Sequence, residues 1–400
     1  MSEIFILGGG ASGMAAALGA AAHGPVTLLE RQARLGRKLL ATGNGRCNLS
    51  NTAAGQEYYH GADPAFVRPA LAAYPPAAVL RFFHELGLRT AEEYGGRVYP
   101  RSDHAASVLD VLRIALEQRG VTVRTGCPVR GLRRSGDGFV IDCETGRFSA
   151  KKLIVACGGC ARGKLGGVTD GYTLLEGLGH RRTKLYPALV ALRCASDYPK
   201  ALKGIRVVAR ASVLRGETPL GAETGDVLFT DTGVSGTAIF SLSRSVSAGG
   251  AGLSVSLDLF PEETEQTLLV DLRRRREAFA SRPANELLVG AVQNRLGLML
   301  CKAAGVSGGA PASALDDKTL AVLARRLKDF RFPVSGVGGF DAAQVTAGGI
   351  ATADFDPATL QSRLAPGLYA CGEVLDIDGD CGGFNLQWAW ASGLLAGELR

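Results

Sequence analysis

Four hundred residues, 46% of them hydrophobic, describe a globular chain with core enough for two or three subdomains and exclude a collagenous or disordered polymer. The 45 Lys and Arg against 38 Asp and Glu leave a formal charge of +7, which admits an acidic ligand without requiring nucleic acid. Nine scattered cysteines exclude a closed disulfide framework, and Met1-Ser2-Glu3 leads into a strand with no basic leader, so a cytoplasmic protein without a membrane span is expected.

Residues 3–7 form an apolar run that ends in Gly8-Gly9-Gly10. An alanine-rich helix is expected over Ala11–Ala22, then a second strand over Pro25–Glu30, which together make a βαβ unit and hence a parallel sheet. Helices follow near 76–87 and 103–119, and short strands near 121–125, 139–143 and 152–156. From about residue 190 the pattern changes to "ALVALRC", "RVVARASVLR", "GDVLFT" and "GLSVSLDLF", which read as strands of an antiparallel subdomain. Residues 262–330 carry apolar side chains at three- and four-residue spacings and read as helices. Past Pro333 the chain returns to glycine-rich strand and loop.

Gly8-x-Gly10-x-x-Gly13 lies between strand and helix, and Glu30 closes the next strand. In that context Gly8 permits the turn, Gly10 lets a pyrophosphate approach the backbone, and Gly13 lets helix and strand pack closely. The helix N-terminus presents free N–H groups to phosphates, and Glu30 accepts the hydroxyls of an adenosine ribose. Three later features favour FAD over NAD alone. "KKLIVACGG" (151–159) ends a buried strand in glycines, including Gly158; "GLYACGEV" (367–374) puts Gly372 and Glu373 at another strand end; "GGFNLQWAWASG" (382–393) leads two glycines into a helix aimed at an anionic flavin edge. No second strand-GxGxxG-helix unit is visible, so NAD(P)H is expected only as a transient co-substrate.

The segment "GRKLLATGNGRCNLSN" (36–51) suits a cofactor clamp rather than core. Arg37 and Lys38 can neutralise pyrophosphate charge, Gly43 and Gly45 let backbone N–H groups crowd in, and Asn44 and Asn48 offer amides that donate and accept.

With "GGGASGMAAA", "GRVYPRSDHAASV", "TDGYTLLEGLGH", "DVLFTDTGVSG", "TAGGI" and "GEVLDIDGDCGGFNLQWAWASG" added, the chain from residue 4 to 397 resembles the aminoacetone-oxidase family of FAD-binding enzymes. That family is a branch of the glutathione-reductase-type flavoproteins, a group that also holds NAD(P)H-linked flavoprotein reductases of bile-acid dehydroxylation. The resemblance implies an α/β fold: a Rossmann-like FAD-binding domain interrupted by a β-barrel-like plus helical insertion. The expected boundaries are 1–190 for the first part of the FAD domain, 191–335 for the insertion (β-rich to 260, helical over 261–330), and 336–400 for the completion. It further implies FAD contacts at Ala11 and Ser12 in the phosphate turn, Glu30 at the ribose, Arg31 beside the adenosine, Arg37 and Lys38 in the following loop, and Val129 at the adenine. Glu373 and the helix start Asn385-Leu386-Gln387 would hold the ribityl and flavin ends.

The expected activity is hydride transfer between a small organic substrate and flavin N5, as an amine or aminoketone oxidase or as an NAD(P)H-dependent reductase of an enone, with the pocket between FAD domain and insertion. Two alternatives stand beside it: a dithiol-disulfide reductase using Cys157 and Cys160, and a flavin-binding RNA-associated protein. Catalytic candidates are Tyr186, His104 and Cys47; no metal ligand set is visible, no nucleic-acid partner is expected, and either a monomer or a homodimer fits. The run Arg273–Arg276 spreads around a helix, at about 100° per residue, and reads as a solvated surface.

Overall fold

The computed structural model describes residues 3–400. The central sheet is parallel and five-stranded. Its strands are β1 (Ile4–Leu7), β2 (Val26–Leu29), β3 (Thr122–Arg124), β4 (Lys152–Val155) and β5 (Leu368–Ala370), in the order β5-β4-β1-β2-β3. All four residues of β1 are buried, as a strand covered on both faces requires, and they register Ile4 on Val26 and Ile4 on Lys152. The late strand β5 pairs with β4 through Leu153–Leu368, so the chain's last hundred residues complete a sheet begun by its first seven.

Between β1 and β2 runs α1 (Ala11–Ala20), two residues shorter than its apolar run suggests. Ala22 and His23 close instead on Gly19 and Ala20 as tight turns before Gly24-Pro25. The helix α3 (Phe384–Gly397) crosses α1 at close range, after the short α2 (Arg37–Ala41) discussed below. Glycines set that distance: a Cβ on Gly393 would lie 2.4 Å from the Ser12 carbonyl oxygen, and one on Gly397 2.7 Å from that of Ala16. Trp388 and Trp390 of α3 are buried, and their indole N–H groups donate to the carbonyls of Gly372 (3.2 Å) and Leu49 (2.9 Å). The C-terminal helix is thereby tied to the two loops that flank the sheet's glycine-rich edge.

The expected helices near 76–87 and 103–119 are present as Pro76–Glu85 and Ala105–Gln118. The described residues up to Tyr186, with Ala343–Arg400, make one compact unit, and Pro187–Ala342 make a second. In the second, six antiparallel strands close a barrel in the order Leu192–Cys194, Gly233–Ser235, Thr218–Phe229, Arg206–Arg215, Leu253–Asp258, Phe330–Val337. Closure removes the exposed edges an open antiparallel sheet would carry. "GDVLFT", which reads alone as a short strand, is the end of a twelve-residue strand continued through the polar stretch Thr218–Gly225. Helices Glu265–Ala278, Asn294–Ala303 and Asp317–Lys328 bring their leucines to the same core.

Each arginine of the basic run on helix Glu265–Ala278 has a carboxylate partner. Arg273 and Arg276 pair with Asp317, and Arg274 and Arg275 with Asp271. Two carboxylates, Asp271 and Asp317, offset half of the charge of the four guanidiniums. Among the described residues no helix is long and apolar enough to cross a membrane.

Candidate functional site

The glycine turn after β1 shows three steric situations. Gly8 has φ +108°, and a Cβ there would sit 2.4 Å from the Ala156 carbonyl oxygen. Gly13, inside α1, would put a Cβ 1.8 Å from the carbonyl oxygen of Gly8. Gly10 is ordinary extended backbone (φ −82°), and nothing lies within 4 Å of its would-be Cβ. The first two are demanded by protein packing; the third faces open space. Met14 N–H is the first in α1 to find its intrahelical carbonyl, Gly10, at 3.0 Å, so the N–H groups of Ala11, Ser12 and Gly13 remain available at the positive end of the helix.

At the end of β2, Glu30 is 9% exposed. Its two carboxylate oxygens accept from Gly9 N–H (2.7 Å) and Gln32 N–H (2.6 Å). The carboxylate is locked in orientation while its remaining lone pairs stay free. Arg31 lies 3.6 Å from Asp170, and Arg37, exposed, donates to the Gln32 amide oxygen. Val129 opens a strand in the neighbouring three-stranded sheet, and the intervening Cys127 N–H donates to Glu30 O (2.9 Å).

The segment after α2 holds left-handed backbone at Gly43 (φ 56°), Asn44 (56°), Gly45 (88°) and Cys47 (63°), with Arg46 (φ −89°) right-handed before the last. Such a segment turns successive N–H groups to one side. Gly43 is packed, its would-be Cβ 2.7 Å from Asn48 N, whereas Gly45 faces open space. Asn48 Oδ1 is buried and has no hydrogen-bond partner. It points to the start of α3, 2.8 Å from where a Cβ on Gly383 would lie. Lys38 and Glu373, expected as separate contacts, form one ion pair at 2.7 Å, and Glu373 Oε1 also accepts Thr346 N–H at 2.8 Å. Beyond β4, Gly158 (φ +70°) opens to space as Gly10 and Gly45 do.

At α3, Gly382 and Gly383 take φ +140° and +103°, and a Cβ on Gly383 would lie 2.3 Å from Ser50 O. Gly372 (φ +74°) donates its N–H to Ser392 Oγ at 3.0 Å. Asn385 accepts Gly379 N–H and donates back to Gly379 O (2.8 and 2.7 Å), so its side chain braces the preceding loop. Gln387 corrects the sequence expectation. It is 0% exposed, its amide bridges Ser50 Oγ (2.7 Å) and Tyr74 O (2.9 Å), and its backbone N–H is bonded to Gly383 O. No part of it is left for a ligand. What α3 offers is the N–H groups of Phe384, Asn385 and Leu386.

The catalytic candidates fare unevenly. Cys47 is enclosed, and burial pushes its thiol up to about 12, so it is an inert packing residue. His104 is exposed at the start of helix Ala105–Gln118, with no acid to orient it among the described residues. Tyr186 is half-buried, with the Lys184 ammonium 5.1 Å over its ring. Burial pushes Cys157 up to about 12 and raises Cys160 also. Their sulfurs have different partners, Leu7 O and Thr346 Oγ1, and a raised pKa is the opposite of what a dithiol reductase needs.

Two groups escaped sequence reading. His60 faces Asp380 at 2.7 Å across 320 residues of sequence. Arg97, half-buried, has no carboxylate partner among the described residues, and its Nε is 3.7 Å from the would-be Cβ of Gly382. "GRVYPRSD" marks Arg97's segment as unusual, but nothing local in "YYHG" marks His60.

Comparison with known proteins adds to this geometry. The family described as HI0933-like protein Rossmann domain matches residues 2–399. The chain is 40% identical, over an alignment of 404 residues covering 100% of it and 98% of the relative, to the 3-dehydro-bile acid delta(4,6)-reductase of Clostridium scindens. It is 30% identical over 396 residues, 98% of this chain and 96% of the relative, to the ribosomal RNA dihydrouridine synthase of Escherichia coli. Among solved structures, the 3-ketosteroid delta1-dehydrogenase of Sterolibacterium denitrificans superposes with a TM-score of 0.51 at 13% identity, covering 99% and 98% of the two chains, a likeness of fold.

Proposed function

The chain belongs to the HI0933-like Rossmann-domain family and is an FAD-dependent oxidoreductase, and from that premise we propose that it reduces a carbon–carbon double bond conjugated to a ketone, with NAD(P)H as electron source. The observation that carries the substrate class is the 40% identity, end to end, with a reductase of a 3-keto bile acid. The second relative's name points to the same bond type, since dihydrouridine is uridine with two hydrogens added across a ring C=C conjugated to a carbonyl. An unsaturated 3-keto steroid or bile acid is therefore the substrate assigned here. Neither relative is named an amine oxidase, which is why the reductase reading is preferred to the aminoacetone-oxidase one.

The cradle fits FAD. Gly10, Gly45 and Gly158 have open Cβ directions, α1 and α3 turn free N–H groups outward, and the buried Asn48 Oδ1 lacks a donor. A buried acceptor left so costs about 1–3 kcal/mol, which a ligand N–H would offset. In this reading Ala11, Ser12 and Gly13 meet the pyrophosphate, Glu30 the adenosine ribose, and Arg31 and Val129 the adenosine. The Lys38–Glu373 pair meets the ribityl side, and Asn44, Gly45, Asn48, Asn385 and Leu386 the flavin ring. FAD, when bound, supplies hydride chemistry. The protein's part is to orient the substrate, exclude water and place positive charge where negative charge develops. Arg97 and the start of α3 supply that charge.

Lys38→Ala and Gly45→Val test the loop. Each is expected to lower FAD retention by roughly tenfold, about 1.4 kcal/mol. Unchanged flavin content in both purified variants would remove the loop from the site.

The electron source is tested by mixing the purified holoenzyme anaerobically with NADH or NADPH. Fast bleaching of the flavin is expected. Absence of bleaching, with oxygen uptake on aminoketones, would return the amine-oxidase reading. An RNA substrate would show instead as binding that falls steeply with salt.

A further inference from the structure

The two-residue strand Tyr59–His60 pairs antiparallel with Asp378–Gly379, His60 opposite Asp378. The diagonal neighbour Asp380 receives the imidazole, with Nε2 2.7 Å from Oδ1 and side chains 35% and 27% exposed. His60 is the one histidine held by a carboxylate among the described residues; His180 bonds only Leu175 O and Ser362 Oγ.

The pair is fixed to the start of α3. Asp380 N–H donates to Tyr58 O (3.0 Å), and Asp380 O accepts from Asn385 Nδ2 (3.3 Å). The Tyr58 ring stacks on Phe384 (4.3 Å, 9°), and the Tyr59 hydroxyl donates to Phe384 O (3.0 Å). Four contacts thus tie the dyad to the turn proposed above to meet the flavin ring. An isolated surface contact has no need of such bracing. With Asp380 accepting Nε2–H, the other ring nitrogen, Nδ1, has no protein partner among the described residues, and it donates when the ring carries both protons.

We propose that His60, oriented by Asp380, is the catalytic acid that protonates the carbon α to the ketone. The inference rests on the reductase reading above. Reduction of a conjugated C=C needs one hydride and one proton. The hydride arrives with its electron pair at the β-carbon, the π pair moves toward the α-carbon, and a negative charge develops on the ketone oxygen. The Nδ1–H bond then breaks, its pair stays on nitrogen, and the proton forms the new C–H bond at the α-carbon. The double bond gains two hydrogens: a hydride, which FAD reduced by NAD(P)H would supply when bound, and the proton of His60, which the then neutral ring recovers from solvent. Asp380 holds the ring in position for the transfer, as the orienting acid of a His–carboxylate pair does.

The test separates the half-reactions in His60→Gln and Asp380→Asn holoenzymes. Both are expected to keep FAD and to bleach with NAD(P)H at the wild-type rate. Reoxidation by a steroid 4-en-3-one is expected to slow by about 10²–10³-fold in His60→Gln, in the range of a lost acid catalyst, and by about tenfold in Asp380→Asn. A readout without turnover is the binding of 4-nitrophenol to oxidised holoenzyme, followed by its own absorbance. Wild type is expected to bind and shift it as an enolate mimic, and His60→Gln to lose that shift. Wild-type reoxidation rates and 4-nitrophenol binding in His60→Gln would overturn the role of His60. If His60→Gln loses its FAD, Asp380→Asn decides: wild-type reoxidation in it overturns the dyad. Wild-type enzyme that bleaches but is not reoxidised by the enone overturns the reductase reading itself, a distinguishable failure.

Discussion

Gly10→Val is expected to fold with nearly wild-type stability and to retain no FAD. The position is extended backbone that valine adopts without strain, and its Cβ direction holds no protein atom within 4 Å. Valine is a poorer helix N-cap than glycine, by no more than about 1 kcal/mol. The open volume in front of Gly10 is, by the account above, where the pyrophosphate lies against the N–H groups of α1. The added isopropyl group would hold it off and forfeit several charge-assisted hydrogen bonds, an affinity loss on the order of 100-fold, about 3 kcal/mol. Apoprotein melting and flavin content of the purified variant check the two halves separately. Wild-type flavin content would show that the open space is not the pyrophosphate site.

Gly13→Ala is the complementary case, where damage falls on the fold itself. Alanine gains about 1 kcal/mol in helix propensity over glycine. Against this, its Cβ would lie 1.8 Å from the Gly8 carbonyl oxygen and 3.3 Å from Ala156 Cβ, so α1 must move off the sheet. Overpacking of that kind costs typically 1–3 kcal/mol, occasionally more, and here the obstacle is backbone that cannot rotate away. With the obstacle at the upper end of that range, a net loss of about 2 kcal/mol is expected, a fall in Tm of roughly 4–8 °C. A wild-type Tm would mean that the βα turn is looser than drawn. Gly10 and Gly13 belong to one fingerprint and are expected to fail in opposite ways.

The contrast shows what a sequence can and cannot say. The strand–glycine–helix–strand order and the acid at Glu30 are local, so the βαβ unit and the dinucleotide cradle are legible from residues 3–30. The antiparallel insertion was legible as a class of structure, because short β-type runs between turn residues mark it. Its closure into a barrel was not, since that depends on Leu192–Cys194 pairing with Phe330–Val337 across more than 130 residues. The site divides similarly. Lys38 and Glu373 each read as cofactor contacts, but their mutual ion pair spans 335 positions. Gln387 read as a flavin neighbour from its place at a helix start; the helix rotates it inward, where Ser50 and Tyr74 occupy both ends of its amide. His104 drew attention from its place in a distinctive motif and proves solvent-facing, while His60 gained its partner only by a cross-strand contact. Chemistry written in backbone spacing was visible, and chemistry made by tertiary pairing was not.

The central claim is that this oxidoreductase passes electrons to a ketone-conjugated double bond. The direct measurement reduces the holoenzyme anaerobically with NADPH, or with NADH if that is the donor that bleaches it, removes excess nucleotide, and adds a bile acid carrying a 3-keto-4-ene. The account predicts return of the oxidised flavin spectrum together with one equivalent of the saturated 3-ketone. Flavin that stays reduced in the enone's presence and reoxidises only when oxygen is admitted would contradict it.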